Sequence, residues 1–276
     1  MKVLWIFAHP EQRSLNASLM AEGLRTLRTH GHEHRVSDLY AMGWKPVIDA
    51  DDVRAPEPSP DVSTDRLVVG AEQERAYVGG TLSDDIRAEQ EKIAWADTLV
   101  FHFPLWWFGP PAILKGWFDR VLVQGFAFGI RDGHGRTRRY GDGGLAGKRA
   151  LIVTSVGARE SGFGPRGIHG QIDEVLFPML HGTFWYTGME ALPPLVVYGA
   201  DRATEADAEG WAAALRERLR TLPDAEPIPY RREAGGDYDA DLVLHATAAP
   251  GHAGLSAHVT PCRRGQPGAS ALLDAV

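Results

Sequence analysis

The chain has 276 residues, of which 44% are hydrophobic and 24% charged, a range that suits one large α/β domain followed by a tail. Its formal charge of −7 gives no general attraction for nucleic acid or an anionic membrane, so neither is expected as a partner and any phosphate must be held by a local set of donors. The single cysteine, Cys262, excludes an internal disulfide framework, a thiolate metal cluster and an iron–sulfur site; no metal is expected, and a cytoplasmic location is.

Val3 to Ala8 is a continuous apolar run closed by His9-Pro10, which predicts a buried first strand rather than a signal peptide. Leu19, Met20, Leu24 and Leu27 fall at helical spacing and predict a helix over 16–29, and a second strand is expected over 33–39. Residues 41–80, rich in Pro and Asp, read as an irregular surface excursion with a short helix around 71–77. Ser83 is the candidate N-cap of a helix reaching Ala96, and the apolar run 98–103, ended by Pro104, is a buried strand. A helix over 115–123, a Gly- and Arg-rich loop over 125–147, a strand over 149–153 and a glycine-rich loop over 154–167 follow. A helical stretch from His169, interrupted at Pro178, then precedes a strand over 194–198 and an amphipathic helix over 204–222. Residues 223–276 lack periodicity and are expected to form an extended arm or tail on a first domain of residues 1–222. No stretch approaches the ~20 apolar residues that a membrane span requires. Strands alternating with helices imply a parallel sheet covered on both faces, with ligand loops at the carboxyl ends of the strands.

Three of those loops carry chemistry. The first, His9-Pro10-Glu11-Gln12-Arg13-Ser14-Leu15-Asn16, brings a hydroxyl, an amide, a guanidinium and a helix N-terminus together, with Ser18 one turn further on. Free N–H groups and the helix dipole would favour a phosphate there, although capping of the helix by Ser14 or Asn16 explains the same residues. G-x-G-x-x-G and Gly-Lys-Ser/Thr are both absent, which disfavours a Rossmann dehydrogenase and a P-loop enzyme. The second loop, Pro104-Leu105-Trp106-Trp107-Phe108-Gly109, clusters aromatic rings directly after a central strand, where a flat apolar ring system could stack; a core or dimer contact is the bland reading. The third, beginning Thr154-Ser155-Val156-Gly157 and continuing to Gly167, is glycine-rich enough for main-chain N–H groups to approach a heteroaromatic edge, or for a merely solvated connector. His169 follows it, and a lone histidine is more often structural than catalytic.

At these loops the sequence resembles the NAD(P)H:quinone oxidoreductases of the DT-diaphorase type, through AHPEQRSLNASL, SDLYAMGWKPVIDADD, AEQEKIAWADTLVFHFPLWWFGPPAILKGWFDRV and GIHGQIDEVLFPMLHGTFWYTGME. The resemblance covers roughly residues 1–200 and implies a flavodoxin-like α/β fold with helices on both faces of the sheet. It implies a flavin cofactor, FAD with FMN as the alternative, and NAD(P)H as co-substrate. Ping-pong two-electron hydride transfer to a quinone-like acceptor and a homodimer follow from it. His9, Arg13, Ser14, Leu15, Asn16 and Ser18 are then expected on the cofactor's phosphate side, Pro104, Leu105, Trp106, Trp107 and Phe108 around the flavin ring, and Thr154, Ser155, Val156 and Gly157 at its polar edge. Trp107, Phe108, Phe128, Phe163 and His169 are expected to face the substrate, with His169 compensating charge as the family's histidine does. The family's partner tyrosine is replaced by Phe163, and no tyrosine occurs from Leu151 to Met179, which leaves Tyr140 or a partner-subunit residue as sources of a hydroxyl. The insert 131–147 departs from the family as well, its arginines suited either to the extra phosphate of NADPH or to solvent. An FMN-dependent nitro or azo reductase and a non-catalytic flavin-binding regulatory subunit are the alternative readings.

Overall fold

The computed structural model describes residues 1–53 and 67–261. Six strands, β1 (Lys2–Phe7), β2 (Glu33–Asp38), β3 (Thr98–Pro104), β4 (Arg149–Val156), β5 (Glu190–Ala191) and β6 (Leu195–Tyr198), form one sheet in the order β2-β1-β3-β4-β5, with β6 also paired to β4. Every pairing is parallel. Helices α1 (Leu15–Thr29), α2 (Val69–Gly79), α3 (Asp84–Trp95), α4 (Ala112–Val121), α5 (Ile172–Met179) and α6 (Glu205–Arg220) fill the crossovers and close the fold.

The strands read as unbroken apolar runs because both sheet faces are covered. Val3, Trp5 and Phe7 of β1 join Val100, Leu151 and Val153 in a cluster with Leu19 and Leu27 of α1 and Leu215 and Leu219 of α6. The alternate residues, Leu4 and Ile6, join Leu99, Phe101 and Ile152 in a larger cluster with Ile86 and Ile93 of α3, Leu114 and Trp117 of α4, and Leu176 of α5. Period-two alternation sends each strand's side chains to both sides, and each side is core.

Two departures from the expected elements have local causes. The two-residue strand Glu190–Ala191 is too short to leave any periodicity in sequence. Pro178 lies inside α5, where it lacks the N–H that would bond one turn back, and the chain continues as a π-turn over Leu180–Trp185 in which Thr183 Oγ1 donates to the Pro178 carbonyl at 3.2 Å.

After α6 the chain folds back over the larger cluster, to which Ile228, Tyr230 and Val259 contribute. Arg231 ties this segment together, its Nε donating to Ala257 O at 3.0 Å, Nη1 to Asp237 at 2.7 Å and Nη2 to Ala248 O at 2.8 Å. Cys262 and the last part of the expected arm lie outside the described residues. No helix among the described residues is long and apolar enough to cross a membrane.

The order β2-β1-β3 places the point where the chain's winding reverses between β1 and β3. In open parallel sheets the crevice at the carboxyl ends of two such strands is where ligands bind. The first two loops emerge there, and the third leaves β4 beside them.

Candidate functional site

Ser14 is the N-cap of α1, its Oγ accepting from Ala17 N at 3.2 Å. The remaining first-turn N–H groups have no carbonyl one turn back within the helix, so they face outward as donors. The His9 ring is fixed over the loop by Glu11 N, which donates to Nδ1 at 3.1 Å. Arg13 is turned to solvent and paired with Glu11 at 3.1 Å, and Ser18 Oγ donates back to Ser14 O at 3.2 Å; neither lines the cavity.

The aromatic loop is docked onto β4 by Leu105 N, which donates to Ser155 O at 2.8 Å. Trp106 and Gly109 exchange both backbone hydrogen bonds at 3.0 Å, closing a two-residue turn whose central residues, Trp107 and Phe108, have φ of 51° and 59°. Such turns normally carry Asn or Gly, and a left-handed backbone costs a bulky L-residue about 1–2 kcal/mol. Trp107 is nonetheless 97% exposed, and Phe108, 53% exposed, has only the neighbouring Phe163 and His169 rings beside it, so little packing in this chain compensates the strain. Strain of this kind is retained where the rings serve a ligand or partner.

Loops one and three are stitched together. Asn16 Nδ2 donates to Ser155 Oγ at 2.9 Å, and Asn16 Oδ1 lies 3.2 Å from Nε2 of His102 on β3. All three side chains are buried, and burial, with a smaller contribution from His9, drives the His102 pKa down to about 3, so its ring is neutral. Thr154 points into the sheet instead, donating to Phe103 O at 2.8 Å. At Gly157 the missing Cβ leaves room for the Asp201 carboxylate, which a larger residue would displace.

These loops enclose a cavity of about 450 Å³ lined by His9, Ser14, Leu15, Asn16, Pro104, Leu105, Trp106, Trp107, Ser155, Val156, Gly157, Ala200 and Asp201. The last two escaped sequence reasoning. They sit in the turn after β6, and the rule that ligand loops follow parallel strands would have found them had that strand's loop been counted with the others.

Beside the cavity, His169 packs at 4.9 Å from Phe163 and 5.8 Å from Phe108, centroid to centroid. Its backbone N–H donates to Gly162 O at 3.0 Å, and a Cβ on Gly162 would approach the ring's Cδ2 to 2.7 Å. Phe163 brings no hydroxyl; the phenol packed against it is that of Tyr198, at the end of β6, whose ring centroid lies 5.8 Å from that of Phe163. Burial and the carboxylates of Glu160 and Asp173 push its pKa up to about 12. Tyr140 is elsewhere, stacked on His181 at 5.0 Å, and Phe128 also lies apart, 6.5 Å from Tyr186. In the insert, Arg136 is paired with Asp132 and Asp142, and Arg139 with Glu233 at 2.6 Å, so neither offers a free guanidinium to a phosphate.

Among the described residues no cluster of side chains could hold a metal ion. The arrangement instead suits a flat polycyclic ligand with an anionic tail: helix N–H donors at one end, aromatic rings along the middle, and close-approach backbone at the other edge.

A family model described as a flavodoxin-like fold matches residues 1–221. The ribosyldihydronicotinamide dehydrogenase-like protein traD of Penicillium crustosum is 44% identical over 249 residues, 89% of this chain and 90% of the relative. NAD(P)H dehydrogenase [quinone] 1 of Cavia porcellus is 35% identical over 227 residues, covering 82% of this chain and 79% of that one. Among solved structures, a Klebsiella pneumoniae protein assigned as a quinone reductase superposes with a TM-score of 0.88 at 48% identity, covering 94% of this chain and all of the other.

Proposed function

The chain belongs to the flavodoxin-like family of quinone oxidoreductases, and from that premise we propose that its cavity binds a flavin, FAD in preference to FMN, for NAD(P)H-dependent reduction of a quinone-like acceptor. The observation that carries this reading is the cavity itself, in which a helix N-terminus, an aromatic loop and a glycine-bearing loop meet at the β1/β3 switch point. Bound there, a flavin would accept hydride from NAD(P)H and hand it to the acceptor as a two-electron pair, in two half-reactions at one exposed ring face.

The protein's residues supply position and charge. The N-terminus of α1 with Ser14 would hold the phosphate, Leu105 and Trp106 the ring, and Ser155 and Gly157 its polar edge. His169 would carry positive charge beside the site and Tyr198 a neutral hydroxyl, while Trp107 and Phe108 would face the acceptor. Arg13, Ser18 and Thr154 act on this site only through the loops they brace. We assign residues 1–222 to the flavin-binding domain and the remainder to an arm. The exposed Trp107, Phe108 and Ile168 suit coverage by a second copy in a homodimer, which would also give Phe128 a route to the partner's site. The low cysteine content suits work in the cytoplasm.

The test is the visible spectrum of the purified protein, chromatography of the heat-released cofactor, and anaerobic addition of NADH, NADPH or ribosyldihydronicotinamide, followed by a quinone. Bleaching by a dihydronicotinamide and recovery with the quinone is the expected sequence. A colourless protein that takes up neither flavin would overturn the reading, and bound flavin that no donor reduces would leave a binding protein in place of an enzyme.

The strained turn gives a second prediction. Replacing Trp107 with Asn and Phe108 with Gly together relieves two left-handed bulky residues; after glycine's entropy cost and the lost Phe108 contacts, a net gain of about 1 kcal/mol should raise the thermal midpoint by about 2–4 °C. The same variant should show a raised KM for the acceptor with flavin content unchanged, a split that separates the turn's folding cost from its use.

A further inference from the structure

A buried histidine stands one hydrogen bond behind the cavity wall. His102 is fully enclosed on β3, with its ring edge-on to Trp5 at 5.8 Å and Phe7 at 5.2 Å. Its Nδ1 has no hydrogen-bond partner, and its Nε2 meets the Asn16 amide, whose other end meets Ser155. A neutral imidazole carries one ring proton, and its location decides the polarity of the whole chain of contacts.

Placing the proton on Nδ1 would bury an N–H donor without an acceptor, the rarest kind of unpaired group. With the proton on Nε2, His102 donates to Asn16 Oδ1 and Asn16 Nδ2 donates to Ser155 Oγ. The Ser155 oxygen is then occupied as an acceptor from within, and its own O–H is free to point into the cavity that Ser155 lines. Reversing the chain would make Ser155 donate inward to Asn16 and present only lone pairs to a ligand. The polar edge of an oxidised isoalloxazine is rich in acceptors, so only the first polarity serves it.

We propose that His102 is a positioning residue that, through Asn16, holds the Ser155 hydroxyl as a hydrogen-bond donor to the flavin's polar edge. The inference rests on the flavin reading above and adds a residue that touches neither cofactor nor substrate. Glutamine at this position could reproduce the N–H donor; leucine could not.

The test is a double-mutant cycle on the flavin-loaded protein, read as the FAD dissociation constant and the visible absorption maximum of the bound cofactor. His102→Leu should weaken FAD binding by about tenfold, equivalent to about 1.4 kcal/mol, and shift the absorption maximum. In a Ser155→Ala background the same substitution should change affinity by less than about twofold, because the hydroxyl it controls is gone. His102→Gln should restore affinity to within about threefold of the wild type. Equal losses in both backgrounds, or no rescue by glutamine, would reduce His102 to a packing residue and overturn the inference while leaving the flavin reading intact. If His102→Leu does not fold, His102→Met carries the same cycle. A wild-type protein that binds no flavin would remove the functional reading, and this inference with it.

Discussion

Arg120→Ala is expected to lower the free energy of unfolding by about 3–5 kcal/mol at neutral pH. Arg120, on the last turn of α4, is only 1% exposed. Its Nε and Nη2 fork onto Asp52 at 3.0 and 2.8 Å, and Nη1 donates to Lys45 O at 2.9 Å and lies 2.8 Å from Asp85. The guanidinium also sits 4.6 Å above the Trp44 ring. One side chain therefore clamps the excursion after β2 to the helix that follows the aromatic loop. Its removal leaves Asp52, 2% exposed, with Lys45 as its remaining cationic partner, at 3.0 Å. Lys45 compensates only part of that buried charge, and a buried carboxylate that loses its forked partner costs far more than the pair contributes over an apolar replacement, so truncation is severe where a matched apolar swap of both partners need not be. Burial alone would raise the Asp52 pKa, but the hydrogen bonds from Arg120 and Lys45 outweigh it and the net shift is downward; Asp85 is lowered in the same way. A depressed carboxylate pKa stabilises the fold above the unfolded value of about 3.9, and that contribution disappears as pH falls through the folded value. Urea melts at about pH 7 and about pH 3 should therefore show a large gap between wild type and variant that narrows in acid. A gap unchanged by pH would mean that lost packing, not lost charge pairing, dominates.

The layered core was legible in sequence because a sheet covered on both faces leaves a mark that short windows detect: Val3–Ala8 and Thr98–Phe103 are apolar without alternation. The α1 and α3 starts were legible through Ser14 and Ser83, although only Ser14 makes a side-chain cap bond. The segment after α6 was not, since its shape depends on Arg231 gathering carbonyls from residues far along the chain, an arrangement with no period. The first and second loops of the site could be read as local strings, and most of their residues converge on the cavity. Arg13 shows the limit of reading by residue type: a guanidinium in a phosphate-like loop is drawn off by Glu11 two positions away. Tyr198 and His102 leave no such mark, because each lies on a strand whose sequence says only that it is brief or buried, and Asp201 sits in the short turn after the brief β6.

His169→Ala should leave flavin content unchanged and slow turnover with a quinone acceptor by about 10²-fold. The imidazole contacts Phe163 and Phe108 beside the cavity, and its backbone is anchored on Gly162 O, so the ring is held by the chain rather than by a ligand. Of the side chains in this aromatic group, His169 and Tyr198 are the two that carry a polar hydrogen. Tyr198, raised to about 12, stays a neutral hydroxyl throughout the neutral range. On the function proposed above, the charge that must appear beside a flavin receiving hydride would fall to His169, with Phe163 unable to share it. Two further substitutions decide between the imidazole and the hydroxyl. Phe163→Tyr places a phenol against the His169 ring and should raise the rate several-fold by giving the imidazole a partner, about the net worth of one ordinary hydrogen bond. Tyr198→Phe should cost less than about tenfold if the hydroxyl only assists, and about as much as His169→Ala if it is the proton source. Rapid-mixing measurements of the two half-reactions separate these cases, because loss of charge compensation slows both hydride transfers while loss of acceptor contact slows only the second. Wild-type rates in both half-reactions of His169→Ala would return that histidine to the structural role that a lone histidine usually has.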